Sequence, residues 1–447
     1  WALQDRIFRR PKTDICIHIF SDAKNNPTPL KAVALRIFVN LVIESLTHDA
    51  YIASMAELQY SLRDTDMGIR VIFQGFNHKI FDFVDVFLEH LFGKAVAGTE
   101  ENEKNFFRVK ELMERKFHNM SMKSNRFASN IRLQCLRDFD YDQSTLQQAL
   151  SELTSLETIR NFVMGTFFTK ISLESFLMGN IDCRKDSETL QQLVTKYATS
   201  IPHGTLPAAS RPYECVYRLP VGISVLEKPA ADVNDLNTTL ELYIQLCPDD
   251  LKLRVCLDLL EHFMSEPIYD TLRTNHQLGY SVSCSVRVTN GILGYVVDVT
   301  SATHSAEQLQ TYVLDFLESF VEDLEKMTNS AFEDDLGVLM ELKLEDDCNM
   351  YQVMMRHWNA IVFHNCKWDR IRKEAFALVG LTKVEHIAFY RKWILPSSAD
   401  ARILSVRVSG NDGTSGRMPD SNIMDKLKLM PVISVMDLHT SKWDKPQ

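Results

Sequence analysis

Residues Leu272 to Tyr280 read LRTNHQLGY, a cluster of polar chemistry in a stretch that is otherwise apolar. Arg273 supplies a guanidinium whose planar fork can hold a carboxylate or a carbonyl through several donors. Tyr280 offers a phenol O–H at the start of an expected strand. Leu272 and Leu278 read as buried, and Gln277-Leu278-Gly279 reads as the turn from helix to strand, where glycine permits a tight backbone. A purely structural account is also open: Arg273 caps helix carbonyls and Tyr280 sits at a sheet end.

A second set of candidates concerns metal. A catalytic zinc helix of the H-x-x-E-H or H-E-x-x-H type needs two histidines on one face, with a glutamate. The thirteen histidines contain no pair at either spacing. Asp258-Leu259-Leu260-Glu261-His262 has Asp where the first His would stand, and Val86-Phe87-Leu88-Glu89-His90 has Val there. Asp258, Glu261 and His262 share one helical face; Leu253, Cys256, Leu257, Leu260 and Met264 take the other. That is the pattern of a solvated polar face on an amphipathic helix. His357 and His364, two turns apart, read as packing or surface residues. The chain has no G-x-S-x-G elbow, phosphate-binding loop or dinucleotide fingerprint.

The elements that must carry these residues recur in order. Ile15 to Phe20 reads as a strand, Leu30 to Leu58 as a long helical stretch, and Met67 to Phe76 as a strand after the Asp64-Thr65-Asp66 turn. Helices follow from His78 to about Phe168, then a strand from Leu173 to Met178. Thr199 to Pro212, with three prolines and a glycine, reads as a linker. Beyond it come a strand at Thr239–Leu246, a helix at Asp249–Thr274, and strands at Tyr280–Val288 and Gly294–Thr300 around the turn Thr289-Asn290-Gly291. Helices from Ser305 to about Tyr390 and a strand at Ile403–Val408 complete the unit. The expectation is an α+β fold of two tandem homologous domains, each an antiparallel or mixed sheet packed with helices. The domains span 1–200 and 213–415, joined by the linker 201–212 and followed by a polar tail, 416–447.

Net charge is −10 over 447 residues, which argues against nucleic acid and anionic membranes as partners and favours basic peptides. Nine scattered cysteines without a C-x-x-C pair fit reduced thiols and a cytoplasmic location. No apolar run is long enough for a membrane helix. The start at Trp1 suggests a fragment of a longer chain.

Ser265 to Val282, SEPIYDTLRTNHQLGYSV, closely resembles the pitrilysin/insulin-degrading enzyme family of inverted zinc peptidases. Ser45-Leu46, Asp49-Ala50-Tyr51, Ala56-Glu57-Leu58, Tyr60-Ser61-Leu62, Gly68 and Gly75-Phe76-Asn77 resemble that family's third domain, as does Met178-Gly179-Asn180. Met327-Thr328, Phe332, Lys343-Leu344-Glu345, Leu381-Thr382-Lys383 and Phe389-Tyr390 follow its fourth. The resemblance implies a clam shell of four related domains enclosing a peptide-sized chamber, with zinc in the first domain and therefore in the missing N-terminal half. It implies that Arg273 and Tyr280 reach substrate near the zinc, with Tyr269 on the same wall. Two such donors would stabilise negative charge growing on the scissile carbonyl oxygen. The chain matches only domains three and four and lacks the zinc motif, so alone it is expected to bind no metal and hydrolyse no peptide. Its expected partners are a catalytic N-terminal half, in the same polypeptide or as a separate subunit, and peptide substrates. The other reading is a non-catalytic regulatory or scaffold subunit on the same fold.

Overall fold

The computed structural model describes residues 1–199, 204–213, 215–363, 366–410 and 441–443. The first half of the chain runs β1 (Ala2–Gln4), β2 (Lys12–Ser21), α1 (Pro29–Ser45), α2 (Thr47–Met55), β3 (Gln59–Thr65), β4 (Gly68–Phe76) and α3 (Asn77–Leu91). It continues with α4 (Glu100–Met120), α5 (Ser124–Leu136), α6 (Gln143–Glu152), α7 (Leu156–Phe162), β5 (Lys170–Gly179), α8 (Cys183–Ala198) and β6 (Gly204–Thr205). The second half begins with β7 (Gly222–Pro229), β8 (Thr238–Pro248), α9 (Leu251–Ile268), a π-helical turn (Tyr269–Asn275), β9 (Ser281–Thr289) and β10 (Ile292–Ser301). It ends with α10 (Ala306–Lys326), α11 (Asn329–Leu344), α12 (Met350–Phe363), α13 (Arg370–Val379), α14 (Lys383–Trp393) and β11 (Arg402–Ser409).

The duplication is explicit in the sheets. One has strand order β1-β5-β2-β4-β3, with β6 beside β5; the other has β7-β11-β8-β10-β9. In both, the first strand runs parallel to the last, and the remaining pairs along that order are antiparallel. The central strands β2 and β8 are buried on both faces, which is why KTDICIHIFS and TTLELYIQLCP carry so many β-branched and apolar residues. Helix starts follow side-chain caps: Thr28 ahead of Pro29 on α1, Asp250 on α9, and reciprocal capping boxes at Ser305/Gln308 and Thr382/Glu385.

The chain folds into two compact units whose composition departs from a simple cut at residues 201–212. The first contains Trp1–Phe117, Gln143–Glu214 and Asp347–Lys367; the second contains His118–Asp142, Cys215–Asp346 and Trp368–Gln447. Each sheet thus receives one covering helix from the other half of the sequence. In the first unit, α12 lays Met350, Val353, Met354, Trp358 and Ile361 over Cys16, Ile72, Phe176 and Met178. In the second, α5 lays Ala128, Ile131, Cys135 and Leu136 over Tyr243, Val296, Leu404 and Val406. Arg132 and Ser129 of α5 also bind the buried Glu241 carboxylate of β8. Within the linker, Gly204–Thr205 adds a short parallel strand to β5 and residues 208–210 form one 3-10 turn; residues 201–203 lie outside the described part. Of the expected tail, only residues 441–443 are described.

The long helix expected from Leu30 to Leu58 is in fact two helices and the approach to a strand. Helix α2 stops at Met55, and Glu57 takes a left-handed conformation at φ 57°. β3 follows where only a turn was expected. It is an edge strand with Leu62 its only buried residue, so its apolar alternation is too faint to read.

Candidate functional site

The LRTNHQLGY segment lies at the end of α9. Pro267 sits inside that helix and has no N–H to donate to the preceding turn. The next turn widens: the His276 N–H reaches back five residues to the Thr271 carbonyl at 3.0 Å, which is π-helical bonding. The Leu278 N–H then reaches Leu272 O at 3.0 Å, across Gln277 held left-handed at φ 53°. Leu272 and Leu278 are both fully buried in one core cluster, as expected. This is a Schellman-type helix stop made one residue wider than usual.

The sister position in the first unit shows the ordinary version. There AELQYSL, Ala56 to Leu62, parallels HQLGYSV, His276 to Val282. Glu57 is left-handed like Gln277, and the Leu58 N–H reaches back five residues to Ala53 O at 2.9 Å. The motif helix carries the extra residue as its π turn.

Gly279 has a role other than backbone freedom. A Cβ there would stand 2.0 Å from the carbonyl oxygen of Thr300, so only glycine lets the chain pass against β10. Tyr280 follows at once, immediately before β9. The scaffold that aims Tyr280 is therefore a left-handed residue, a buried leucine anchor and a glycine pressed on a neighbouring strand.

Three candidate residues can now be placed. The Arg273 guanidinium lies over the Tyr269 ring, 4.6 Å from its centroid. The two stand four residues apart across the widened turn. Among the described residues, Arg273 finds no carboxylate or carbonyl to pair with; it does not cap the helix carbonyls. Tyr280 is 93% exposed and Tyr269 39%. An exposed phenol and a half-buried guanidinium steered by an aromatic face offer hydrogen-bond donors outward from rigid backbone.

The sequence reading missed the residues that support the segment from downstream. The His276 ring lies 4.8 Å from the Tyr312 ring of α10, and His304 stands 6.2 Å from the same ring. The His304 side chain also hydrogen-bonds the Leu278 backbone, while burial pulls its imidazole below the ordinary range. No local pattern signals the contacts made to the motif itself, because they join His276 to Tyr312 and Leu278 to His304, far apart in sequence.

The polar face of α9 is engaged in ion pairs with neighbouring helices. Asp258 accepts from Lys343 Nζ at 2.6 Å, and Lys343 also binds Glu374 at 3.0 Å. His262 Nε2 lies 3.2 Å from Asp335. Burial pushes the Glu261 carboxyl up, against a hydrogen bond from the Val286 backbone. The Lys343 ammonium itself stands between the Asp258 and Glu374 carboxylates as their counter-charge. Among the described residues no group of three or more His, Cys, Asp or Glu side chains could hold a metal ion. His90 is buried against Ser45 and Asp49, and His357 packs near Phe176. His364 lies outside the described residues.

Comparison with known proteins converges on one family. A profile described as the middle or third domain of peptidase M16 matches residues 1–149. One described as PQQ synthase PqqF-like, C-terminal lobe domain 4, matches residues 259–358. The chain is 29% identical to nardilysin of Mus musculus over 92% of its own length and 34% of the mouse protein. It is 26% identical to the insulin-degrading enzyme of Drosophila melanogaster over 91% of its length and 40% of the fly protein. It thus spans about a third to two fifths of these curated relatives. The crystal structure of pitrilysin superposes with a TM-score of 0.81 at 15% identity, covering 97% of this chain and 45% of pitrilysin, which shows the shared fold. The third-domain and fourth-domain profiles, the matches along 92% of the chain and the repeated sheet order support assignment of the chain to the pitrilysin/insulin-degrading enzyme family of M16 peptidases.

Proposed function

We propose that this chain is the zinc-free C-terminal half of an insulin-degrading-enzyme-like metalloendopeptidase acting in the cytoplasm on peptides enclosed between two halves. The zinc and its ligands belong to the other half, which supplies the Lewis-acid chemistry. This chain supplies substrate-binding side chains: Arg273 and Tyr280 donate to the scissile carbonyl oxygen and its neighbours, and Tyr269 holds Arg273 in place. Donors aimed where charge develops stabilise the transition state more than the ground state.

The observation that carries this reading is the idleness of both donors within their own unit. Tyr280 is almost wholly exposed, and Arg273 lacks an acceptor among the described residues, yet three separate backbone devices fix their placement.

The test is reconstitution of the chain with a half bearing the H-x-x-E-H motif, read by zinc-dependent cleavage of a fluorogenic peptide. Arg273→Ala and Tyr280→Phe are each expected to lower kcat by roughly 10²–10³-fold, the scale of losing one oxyanion donor. Full activity in both variants would remove them from the site. The scaffold reading is favoured by one observation, the pairing of Asp258 and His262 with Lys343 and Asp335 in place of a metal. It predicts a stable complex with a partner but no cleavage.

A further inference from the structure

The first unit contains a cavity of about 360 Å³ that the peptidase reading does not use. It opens between the end of the sheet and the start of α12. Asp14 of β2, Gln74 of β4 and Gln59 of β3 lie side by side there, paired across three adjacent strands. Phe8 and Tyr351 stand at its sides. The loop carrying Phe8 is fixed by the Asp5 carboxylate, which accepts from the backbone N–H groups of Ile7, Phe8 and Arg9 at 2.8–3.1 Å.

Asp14 is the anomaly. It is only 2% exposed, yet one carboxylate oxygen has no hydrogen-bond partner among the described residues. The other oxygen receives a single long bond from Gln74 Nε2 at 3.4 Å. A buried carboxylate in that condition is costly unless something pairs with it. The remaining charges at the cavity are accounted for. Lys12 is paired with Glu57 at 3.1 Å and lies over the Phe76 ring, and Arg10 is exposed at the rim. The N-terminus of α12 is already capped, since Asn349 Oδ1 accepts from Gln352 N–H and the Gln352 side chain accepts from Cys348 N–H. The cavity is therefore lined by a buried carboxylate with one oxygen unpartnered among the described residues, beside the side-chain amides of Gln74 and Gln59 and two aromatic walls.

We infer that this cavity binds a primary ammonium group, with Asp14 as counter-ion, the Gln59 and Gln74 side chains beside it, and Phe8 and Tyr351 against the adjoining alkyl chain. The ammonium can come from a lysine side chain or from a free peptide N-terminus; the chemistry of recognition is the same. This inference is independent of the proposed catalytic role, because the cavity lies wholly within the first unit and Arg273 and Tyr280 lie in the second.

Three capped tripeptides distinguish the sources. Acetyl-Ala-Lys-Ala-amide carries only the side-chain ammonium, Ala-Ala-Ala-amide only the α-ammonium, and acetyl-Ala-Gln-Ala-amide neither. Binding to the full 447-residue chain is read by ligand-detected NMR up to roughly 5 mM, the range of a single charged contact. One or both ammonium peptides are expected to bind and the glutamine peptide is not. Asp14→Asn, which keeps the shape and removes the charge, is expected to weaken binding roughly tenfold or more, the scale of a charge-assisted hydrogen bond. Tyr351→Lys puts a competing cation on a partly exposed wall position and is expected to do the same without disturbing the core. Burial holds the Asp14 carboxyl up at about 6, opposed by Gln74 and Lys12. Arg10, Glu57, Cys348 and Tyr351 are the other titratable groups facing the cavity. Binding is therefore expected to fade between pH 7 and 5 as Asp14 takes up its proton. Failure of both ammonium peptides to bind, or equal binding by the native chain, Asp14→Asn and Tyr351→Lys, would overturn the assignment.

Discussion

At the scale of single residues, the chain separates side chains kept for contact from side chains kept for packing. Tyr280 touches so little of its own unit that Tyr280→Phe should leave unfolding free energy within about 0.5 kcal/mol of the native value. A loss of peptidase turnover in that variant would then be a loss of chemistry. His386 is the opposite case. It is 0% exposed, both ring nitrogens lack partners among the described residues, and the rings of Phe263, Phe332 and Phe389 surround it. Burial pulls its imidazole down to about 4. The fold therefore holds it neutral, while the unfolded chain protonates it near the ordinary 6.5. Between those values the unfolded state binds the extra proton, so stability falls as pH drops from about 6.5 to 4. The full loss is on the order of 3 kcal/mol. His386→Leu should flatten that part of the curve in urea denaturation at stepped pH; an unchanged slope would show that His386 is already protonated or exposed.

At the scale of elements, legibility followed how strongly local chemistry fixes each turn. Asn290-Gly291 adopts positive φ at both positions, 43° and 82°, the geometry that the Asn-Gly pair signals for a two-residue hairpin. The β2, β8 and β11 strands were readable because both faces are buried, and β5 because its last four residues are. The β3 and β7 strands were not read, and for β3 the cause is a nearly bare outer face. The π turn at Tyr269–Asn275 was equally hidden; Pro267 is its one local hint, and the widening depends on the Leu272 and Leu278 anchors. For the site, Arg273, Tyr269 and Tyr280 could be picked from sequence, whereas the supports His304 and Tyr312 required the folded chain. Gly279 and Gln277 give paired predictions about this turn. Gly279→Ala drives a methyl into the Thr300 carbonyl and should cost about 3 kcal/mol of stability. Gln277→Gly relieves a left-handed non-glycine residue and should gain roughly 0.5–1 kcal/mol. Denaturation midpoints check both; a harmless Gly279→Ala would mean that the strand approach is looser than described.

At the scale of the whole molecule, each half of the sequence lends one helix to the unit built mainly from the other half. Sequence order assigned residues 305–390 to the second repeat, because nothing in helix α12 itself marks the sheet it will cover. Its apolar stripe reads the same whichever sheet it serves. Residues 1–212 produced alone would lack α12 and expose Cys16, Ile72, Phe176 and Met178. That segment should bind a hydrophobic dye and unfold without a sharp transition, and a tethered copy of residues 347–367 should restore both properties. A cooperative, dye-silent 1–212 segment would show that the exchanged helix is dispensable.

The exchange also sets a timetable for the newborn chain. The last long strand of the first sheet, β5, ends at Gly179, but its covering helix begins at Met350, about 170 residues later. At roughly 5–20 residues per second, a ribosome needs on the order of 10–30 s to cross that interval. Throughout that time the Cys16–Phe176 face is complete as a sheet and bare as a surface. A chaperone acting on this protein during translation would find its binding site there, on a face that vanishes once residue 363 has emerged and docked.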